Sequence, residues 1–218
     1  MFDIFKQLLD WIYKKRCYFC RKVSGSEIMC EDCFSQITLN PPKPYKLAGI
    51  HKIYCATEYR NEMQKLIRAV KYHNKKELAC HAGLVLKNFW EKVDKEFNYE
   101  VVPMPLFKLR EQKRHYNQSE LIAREFAKHF GYEVNTKLVR RIKNTPPLYK
   151  LNKKERETVL SGAFEYMGEN YSQRPILIID DICTSGTSSY ELIAELERHG
   201  VYDITVLTCC CAGSNFSL

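Results

Sequence analysis

The chain has 218 residues, of which 45% are hydrophobic and 28% charged, a composition typical of a globular protein with a substantial core. Its 34 Lys and Arg residues outnumber its 26 Asp and Glu residues, giving a net charge of +8. Fibrous, collagenous and wholly disordered classes are excluded, and no apolar stretch approaches the roughly 20 residues of a membrane-spanning helix. The first residues lack the basic start and unbroken apolar run of a signal peptide, so we expect a cytoplasmic protein.

The beginning of the chain predicts an amphipathic helix whose apolar face is formed by Phe5, Leu8, Leu9 and Ile12. That face fits packing against the protein's own core, and a helix lying on a membrane surface is the alternative.

Four of the ten cysteines form two Cys-x-x-Cys pairs, Cys17 with Cys20 and Cys30 with Cys33. Two such pairs supply the tetrahedral four-sulfur shell that zinc prefers. Disulfides are the alternative, which a reducing cytosol disfavours. We therefore predict a compact zinc finger with a structural role, because so short a segment forms little core of its own.

A proline-rich linker follows the cysteine pairs, with prolines at three of the four positions 41–44. Such a stretch neither continues a helix nor sits in a central strand. We therefore predict two domains, an N-terminal helix with a zinc finger at 1–42 and a larger domain at 43–218.

Short apolar strands and helical patterns alternate beyond the linker. Strands are predicted at 50–59, 99–102, 175–179 and 201–211. Helices are predicted around 63–70, 78–90, 121–130 and 192–196. This alternation is typical of an α/β fold with a parallel sheet flanked by helices.

The excess positive charge is confined to residues 103–160, which hold 14 Lys and Arg but only 6 Asp and Glu. The rest of the chain is neutral. A concentrated positive field attracts phosphates, pyrophosphate or nucleic acid, and a solvated basic face without a partner is the alternative.

The most informative motif follows the strand predicted at 175–179. The strand ends in two carboxylates, Asp180 and Asp181, and a hydroxyl-rich turn then leads into a helix. That turn presents backbone N–H groups and hydroxyls from Thr184, Ser185, Gly186, Thr187 and Ser188. A helix start of this kind cradles phosphate, while the acids suit the hydroxyls of a sugar. The motif thus indicates a site for ribose 5-phosphate, with a plain helix-capping turn or a metal-binding acid pair as the alternatives.

This loop resembles the phosphoribosyl-pyrophosphate (PRPP) signature of type I phosphoribosyltransferases. The wider pattern resembles the ComF family of competence proteins, in its ComFC-type branch. The residues that carry this likeness are the double Cys-x-x-Cys, Val102–Leu106, Arg114–Glu120, Thr145 with the prolines after it, Lys154–Arg156, Gly162–Phe164 and the acid pair.

The resemblance implies a type I phosphoribosyltransferase-like fold with a small N-terminal zinc finger of four cysteines. It implies that Asp180 and Asp181 hold the ribose and that residues 184–188 hold its 5′-phosphate. The turn formed by Pro103, Met104, Pro105 and Leu106 would bind pyrophosphate, which arrives with Mg²⁺. Residues 108–118 would form a mobile flap, whose cations are Lys108, Arg110, Lys113 and Arg114.

Two departures from the pattern bear on activity. Relatives of the hypoxanthine type carry an aspartate as general base where this chain has Thr184, so no catalytic residue is identified. The usual glycine before the flap's aromatic residue is replaced by His115.

The function predicted from these residues is PRPP binding together with the handling of single-stranded DNA in natural transformation. Partners would include a helicase or membrane channel of DNA uptake. An active phosphoribosyltransferase with an unidentified acceptor, or a PRPP sensor that does not turn over, are the alternatives. A basic and aromatic patch on the zinc finger, formed by Arg16, Tyr18, Phe19, Arg21 and Lys22, suits a single strand.

Overall fold

The computed structural model describes residues 16–25, 27–47, 51–93, 98–146 and 151–212. The helix predicted around residues 5–12 lies outside them. The strands are β1 Tyr45–Leu47, β2 His51–Glu58, β3 Glu100–Pro103, β4 Glu133–Val134, β5 Val139–Arg141, β6 Phe164–Tyr166, β7 Ile176–Cys183 and β8 Ile204–Cys211. The helices are α1 Glu31–Ser35, α2 Asn61–Tyr72, α3 Ala79–Trp90, α4 Lys108–Arg114, α5 Gln118–Lys128, α6 Lys153–Leu160 and α7 Thr187–Arg198.

Six strands form one central sheet in the order β1-β2-β8-β7-β3-β4. Strand β1 pairs antiparallel with β2, and the other neighbours are parallel. The chain is thus a mixed α/β protein with a mostly parallel sheet flanked by helices, which confirms the predicted fold class. Among the described residues, none of the helices combines the length and apolarity needed to cross a bilayer.

Strand β7 places alternate side chains on the two faces of the sheet. Leu177 and Ile179 belong to the apolar cluster with α2, α3 and α5, whereas Ile176 and Ile178 belong to the cluster with α7. All four side chains are fully buried, as expected for a parallel strand covered on both sides.

The described part of the cysteine segment packs onto the main sheet's first cluster. Cys17, Met29 and Cys33 are buried in the same apolar cluster as the side chains of α2 and α3. The Tyr18 hydroxyl also lies 2.6 Å from Nδ1 of His73, just after α2. The division at residue 42 stays a prediction, and the two segments share a core.

Several elements escaped the sequence-based prediction because they are short or polar. Strands β4, β5 and β6 have two or three residues each, too few for an alternating pattern. Helix α6 is mostly charged, but Asn152 and Glu155 form a capping box at its start, which is a recognisable sequence signal.

Candidate functional site

The site lies at the carboxyl edge of the sheet, where β3 and β7 run side by side. Val102 pairs with Ile178 and Pro103 with Ile179, and the Met104 N–H donates to the Ile179 carbonyl at 2.8 Å. The proposed pyrophosphate turn at 103–106 therefore lies directly beside the acid pair. This edge of a parallel sheet is where α/β proteins bind ligands.

The strand carrying the acids is longer than predicted. It continues to Cys183 rather than ending near residue 179, because β8 supplies partners as far as Cys211. Both acids consequently lie within the strand and are nearly covered, with Asp180 9% and Asp181 3% exposed.

Each buried carboxylate has a specific partner. The Asp181 carboxylate lies 2.6 Å from Nζ of Lys71, which belongs to the last turn of α2. The Asp180 carboxylate accepts hydrogen bonds from the Ser119 hydroxyl at 3.0 Å and from the Asp181 N–H at 2.8 Å. Both Lys71 and Ser119 precede the motif by more than 60 residues, so only the fold identifies them.

Burial sets the charge state of this group of side chains. Desolvation, together with the adjacent Asp181 charge, raises the pKa of Asp180 to about 7. Burial works against the Lys71 charge as well, but the facing carboxylates outweigh it and raise the pKa of Lys71. The site therefore holds an ammonium–carboxylate pair beside an acid that takes up a proton near neutral pH.

The hydroxyl-rich turn follows β7 and leads into α7, as the sequence predicts. Gly186 caps the helix with φ +74°, in the left-handed region that favours glycine. The Ser185 and Thr187 hydroxyls lie 2.8 Å apart. From α6, the Arg156 guanidinium donates to the Thr184 hydroxyl at 3.1 Å and the Ser185 hydroxyl at 3.3 Å. A cation of the basic segment thus contacts the hydroxyl-rich turn.

The proposed flap consists of a short helix, α4, followed by an anchored turn. No residue of α4 is buried, and Leu109 is 59% exposed. The turn after it is held firmly, because the Tyr116 hydroxyl donates to the Val70 carbonyl at 2.5 Å and Asn117 donates to the Met104 carbonyl at 3.0 Å. Only the part of the proposed flap before Tyr116 is therefore loosely packed.

Arg141, which the sequence analysis did not single out, lies near Arg110 of the proposed flap. The Arg141 side chain donates to the Thr145 hydroxyl at 2.7 Å, while Arg110 donates to the Thr145 carbonyl. Burial and the nearby Arg110 charge lower the pKa of Arg141 to about 10, and the Asp180 charge acts in the opposite direction. The Arg140–Arg141 pair at the end of a strand is the sequence signal that could have found it.

His115 takes the position where the resemblance expects glycine. Its φ of +65° lies in the left-handed region, which costs an ordinary residue about 1 kcal/mol and a β-branched residue more. We expect the free energy of unfolding of His115→Gly to lie within about 0.5 kcal/mol of that of the unchanged protein. His115→Val is expected to lower the free energy of unfolding by about 1–2 kcal/mol. Urea denaturation measures both, with His129→Val, at a right-handed helix end, as the control. Equal stabilities for the two valine variants would contradict this interpretation.

The four finger cysteines meet as the spacing predicts. Their sulfur atoms all lie within 4.8 Å of one another, with Cys17 and Cys33 at 3.8 Å and Cys20 and Cys30 at 3.6 Å. Four thiolates around tetrahedral zinc, with bonds near 2.3 Å, stand about 3.8 Å apart. The residues present therefore fit a four-coordinate ion of this size.

The backbone around the cysteines also favours thiolates. The N–H groups of Phe19 and Cys30 both point at the Cys17 sulfur at 3.4 Å. Burial opposes ionisation, but these N–H groups and that of Cys20 outweigh it and lower the pKa of Cys17 to about 6. Bound zinc would serve a structural role, holding the loop of the first pair against the start of α1.

Neither of two surface cavities of the described residues is lined by the acid pair, the hydroxyl turn or residues 103–106. One is lined by residues of the 36–40 segment and of 57–63, and the other by Glu100 with 133–137 and Asn170. The acid pair, the hydroxyl turn and residues 103–106 lie at one edge of the sheet, whereas the finger cysteines form a separate centre.

The chain resembles proteins named for competence and for DNA utilization. It is 25% identical to Competence protein F of Haemophilus influenzae over 161 residues, covering 71% of this chain and 70% of that protein. The chain is a homologue of Competence protein F. DNA utilization protein YhgH of Salmonella typhimurium is 23% identical over 176 residues, covering 79% and 75% of the two chains. YhgH of Escherichia coli is 22% identical over 189 residues, covering 85% and 78%. No protein-family model matches the chain.

Proposed function

We propose that the protein is a ComF-type competence protein that binds PRPP at the carboxyl edge and handles single-stranded DNA during natural transformation. The observation that carries PRPP binding is the convergence of the acid pair, the hydroxyl turn and the pyrophosphate turn on adjacent strands. The names of the homologues support the role in DNA uptake.

Each part of PRPP has a matching group in this arrangement. The 5′-phosphate accepts hydrogen bonds from the turn at 184–188 and gains the Arg156 guanidinium as a charged partner. The ribose hydroxyls donate to the carboxylates of Asp180 and Asp181. Lys71 serves as the positioning residue, because its ammonium keeps Asp181 in place.

Ribose binding requires a movement, since both acids are nearly covered. Helix α4 buries no side chain and so loses little packing when it shifts. Closure of the same helix over bound PRPP would bring the cations Lys108, Arg110, Lys113 and Arg114 toward the pyrophosphate. Mg²⁺ would arrive with the pyrophosphate and balance its charge, rather than being held by a site of protein ligands alone.

The test is calorimetric titration with Mg²⁺–PRPP of the unchanged protein, Ser188→Asp and Ser188→Asn. The helix dipole stabilises a negative charge in the first turn of α7, so we expect Ser188→Asp to keep the fold. The same negative charge repels a phosphate bound at this turn. We expect Ser188→Asp to weaken PRPP binding at least about 30-fold. A second negative charge a few ångströms from the phosphate lowers the binding free energy by roughly 2 kcal/mol or more. Ser188→Asn, of similar size and neutral, is expected to bind within about threefold.

No heat of binding in the unchanged protein, or equal affinities of the two variants, would contradict the PRPP site. A pyrophosphate-release assay on the same samples, with candidate acceptors, separates a binding protein from an active phosphoribosyltransferase. Release in the unchanged protein and its loss in Ser188→Asp would establish transfer chemistry.

A further inference from the structure

The last turn of α2 and the residues after it connect the cysteine finger with the flap. Next to the finger, the Tyr18 hydroxyl meets His73 at 2.6 Å. Next to the flap, the Arg114 guanidinium lies 5.9 Å from the centre of the Tyr72 ring. Tyr72 and His73 are neighbours in sequence, so the finger and the flap contact adjacent residues at the end of α2.

Both tyrosine rings along this connection are accompanied by cations. The Arg21 guanidinium and the Lys75 ammonium lie 5.6 and 5.8 Å from the centre of the Tyr18 ring. Tyr72 is 61% exposed, which is high for a large aromatic side chain at the end of a packed helix. Its ring contributes little to the core and presents an open aromatic surface beside Arg114.

From these contacts we propose that Arg21, Tyr18, Lys75, Tyr72 and Arg114 form one binding strip for single-stranded nucleic acid, running from the cysteine finger to the flap. The proposal rests on the DNA handling proposed above and specifies where the strand lies. Rings that stack bases and cations that track phosphates are the two components of sequence-independent single-strand binding.

Four described aromatic side chains of the basic segment make a poorer surface. Phe126 is fully buried, Tyr116 is 9% exposed, and Phe130 and Tyr132 stack on each other within the apolar cluster. The exposed Tyr72 ring beside Arg114 belongs to α2, outside the basic segment.

Nucleic acid is favoured over a protein partner by the composition of the strip. Its three charged members are all cations, and its two rings are tyrosines that each lie within 6 Å of a cation. A protein-docking patch would be expected to offer aliphatic side chains at its centre. The strip ends at Arg114, so a bound strand would reach the last residue of α4.

The experiment measures fluorescence anisotropy of a labelled oligo-dT of about 20 nucleotides with the full chain at several salt concentrations. Tyr72→Ala is expected to weaken binding about tenfold, and Tyr72→Trp to restore it, because a larger ring also stacks. Lys75→Gln is expected to lower the slope of log affinity against log salt by about one.

Two exposed residues elsewhere supply matched controls. Tyr202 is 68% exposed and follows α7, so Tyr202→Ala removes an open ring from a different surface. Lys137→Gln removes an exposed cation near β4. Both controls are expected to bind as the unchanged protein does.

The outcomes separate this proposal from the one on which it rests. Failure of the unchanged protein to bind oligo-dT would overturn DNA handling itself. Binding that Tyr72→Ala and Lys75→Gln leave unaltered would overturn the strip alone, and would point to a protein as the occupant of this surface. Loss in Tyr72→Ala without rescue by tryptophan would also count against stacking.

Discussion

Asp180→Asn is expected to make the protein more stable at pH 8 and to abolish PRPP binding. The folded protein raises the pKa of Asp180 to about 7, against about 3.9 in an unfolded chain. Between these values the folded state holds a proton that the unfolded state has released. Stability therefore falls as pH rises from about 4 to about 7, and above pH 7 the full cost of burying the charge is present.

An asparagine removes that cost and still accepts hydrogen bonds from Ser119 and from the Asp181 N–H. We expect a gain of about 2–4 kcal/mol at pH 8, which shrinks towards zero near pH 4. Urea denaturation across this pH range measures the effect. Asp203→Asn, at an exposed aspartate, is the matched control and should leave the pH dependence as it is.

A stabilised but non-binding variant would show that the acid is retained for ligand binding at the expense of stability. The observation that would count against this account is a loss of stability at pH 8 in Asp180→Asn, or a pH dependence that the substitution does not change. Substituting Asp181 instead is a poor test of binding, because it leaves the buried Lys71 ammonium without its carboxylate.

We expect the purified protein to contain zinc, and removal of that zinc, or Cys33→Ser, to lower the melting temperature by roughly 6–12 °C. Cys33 and Met29 are buried in the apolar cluster shared with α2 and α3, so an open finger exposes part of the main core. Burial of Met29 alone is worth about 2 kcal/mol, and a total loss near 3 kcal/mol shifts a chain of this size by that amount.

Thermal unfolding after chelation, with the zinc content measured on the same sample, tests this expectation. Cys80→Ser is the matched control, since Cys80 lies outside the four-sulfur cluster. An unchanged melting temperature after complete removal of the metal would show that the finger is not a structural zinc site. Because the Tyr18–His73 contact joins the finger to the helix carrying Lys71, metal removal is also expected to weaken PRPP binding.

The local patterns of the chain determined much of the fold and the outline of the site. Apolar runs placed β2, β3, β7 and β8, and helical spacing placed α2, α3, α5 and α7, because long buried elements impose a strong periodicity. The cysteine spacing predicted a four-sulfur cluster, since two Cys-x-x-Cys turns need only a short connection to meet.

Contacts between distant parts of the chain were decided by the tertiary structure alone. Lys71 and Ser119 meet the acid pair only because parallel strands and their crossover helices bring segments more than 60 residues away to one sheet edge. The exposed Tyr72 ring likewise becomes part of a surface through packing of α2 against the finger and the flap. Periodicity reports which face of an element is buried, whereas the partners of that face depend on the order of strands in the sheet.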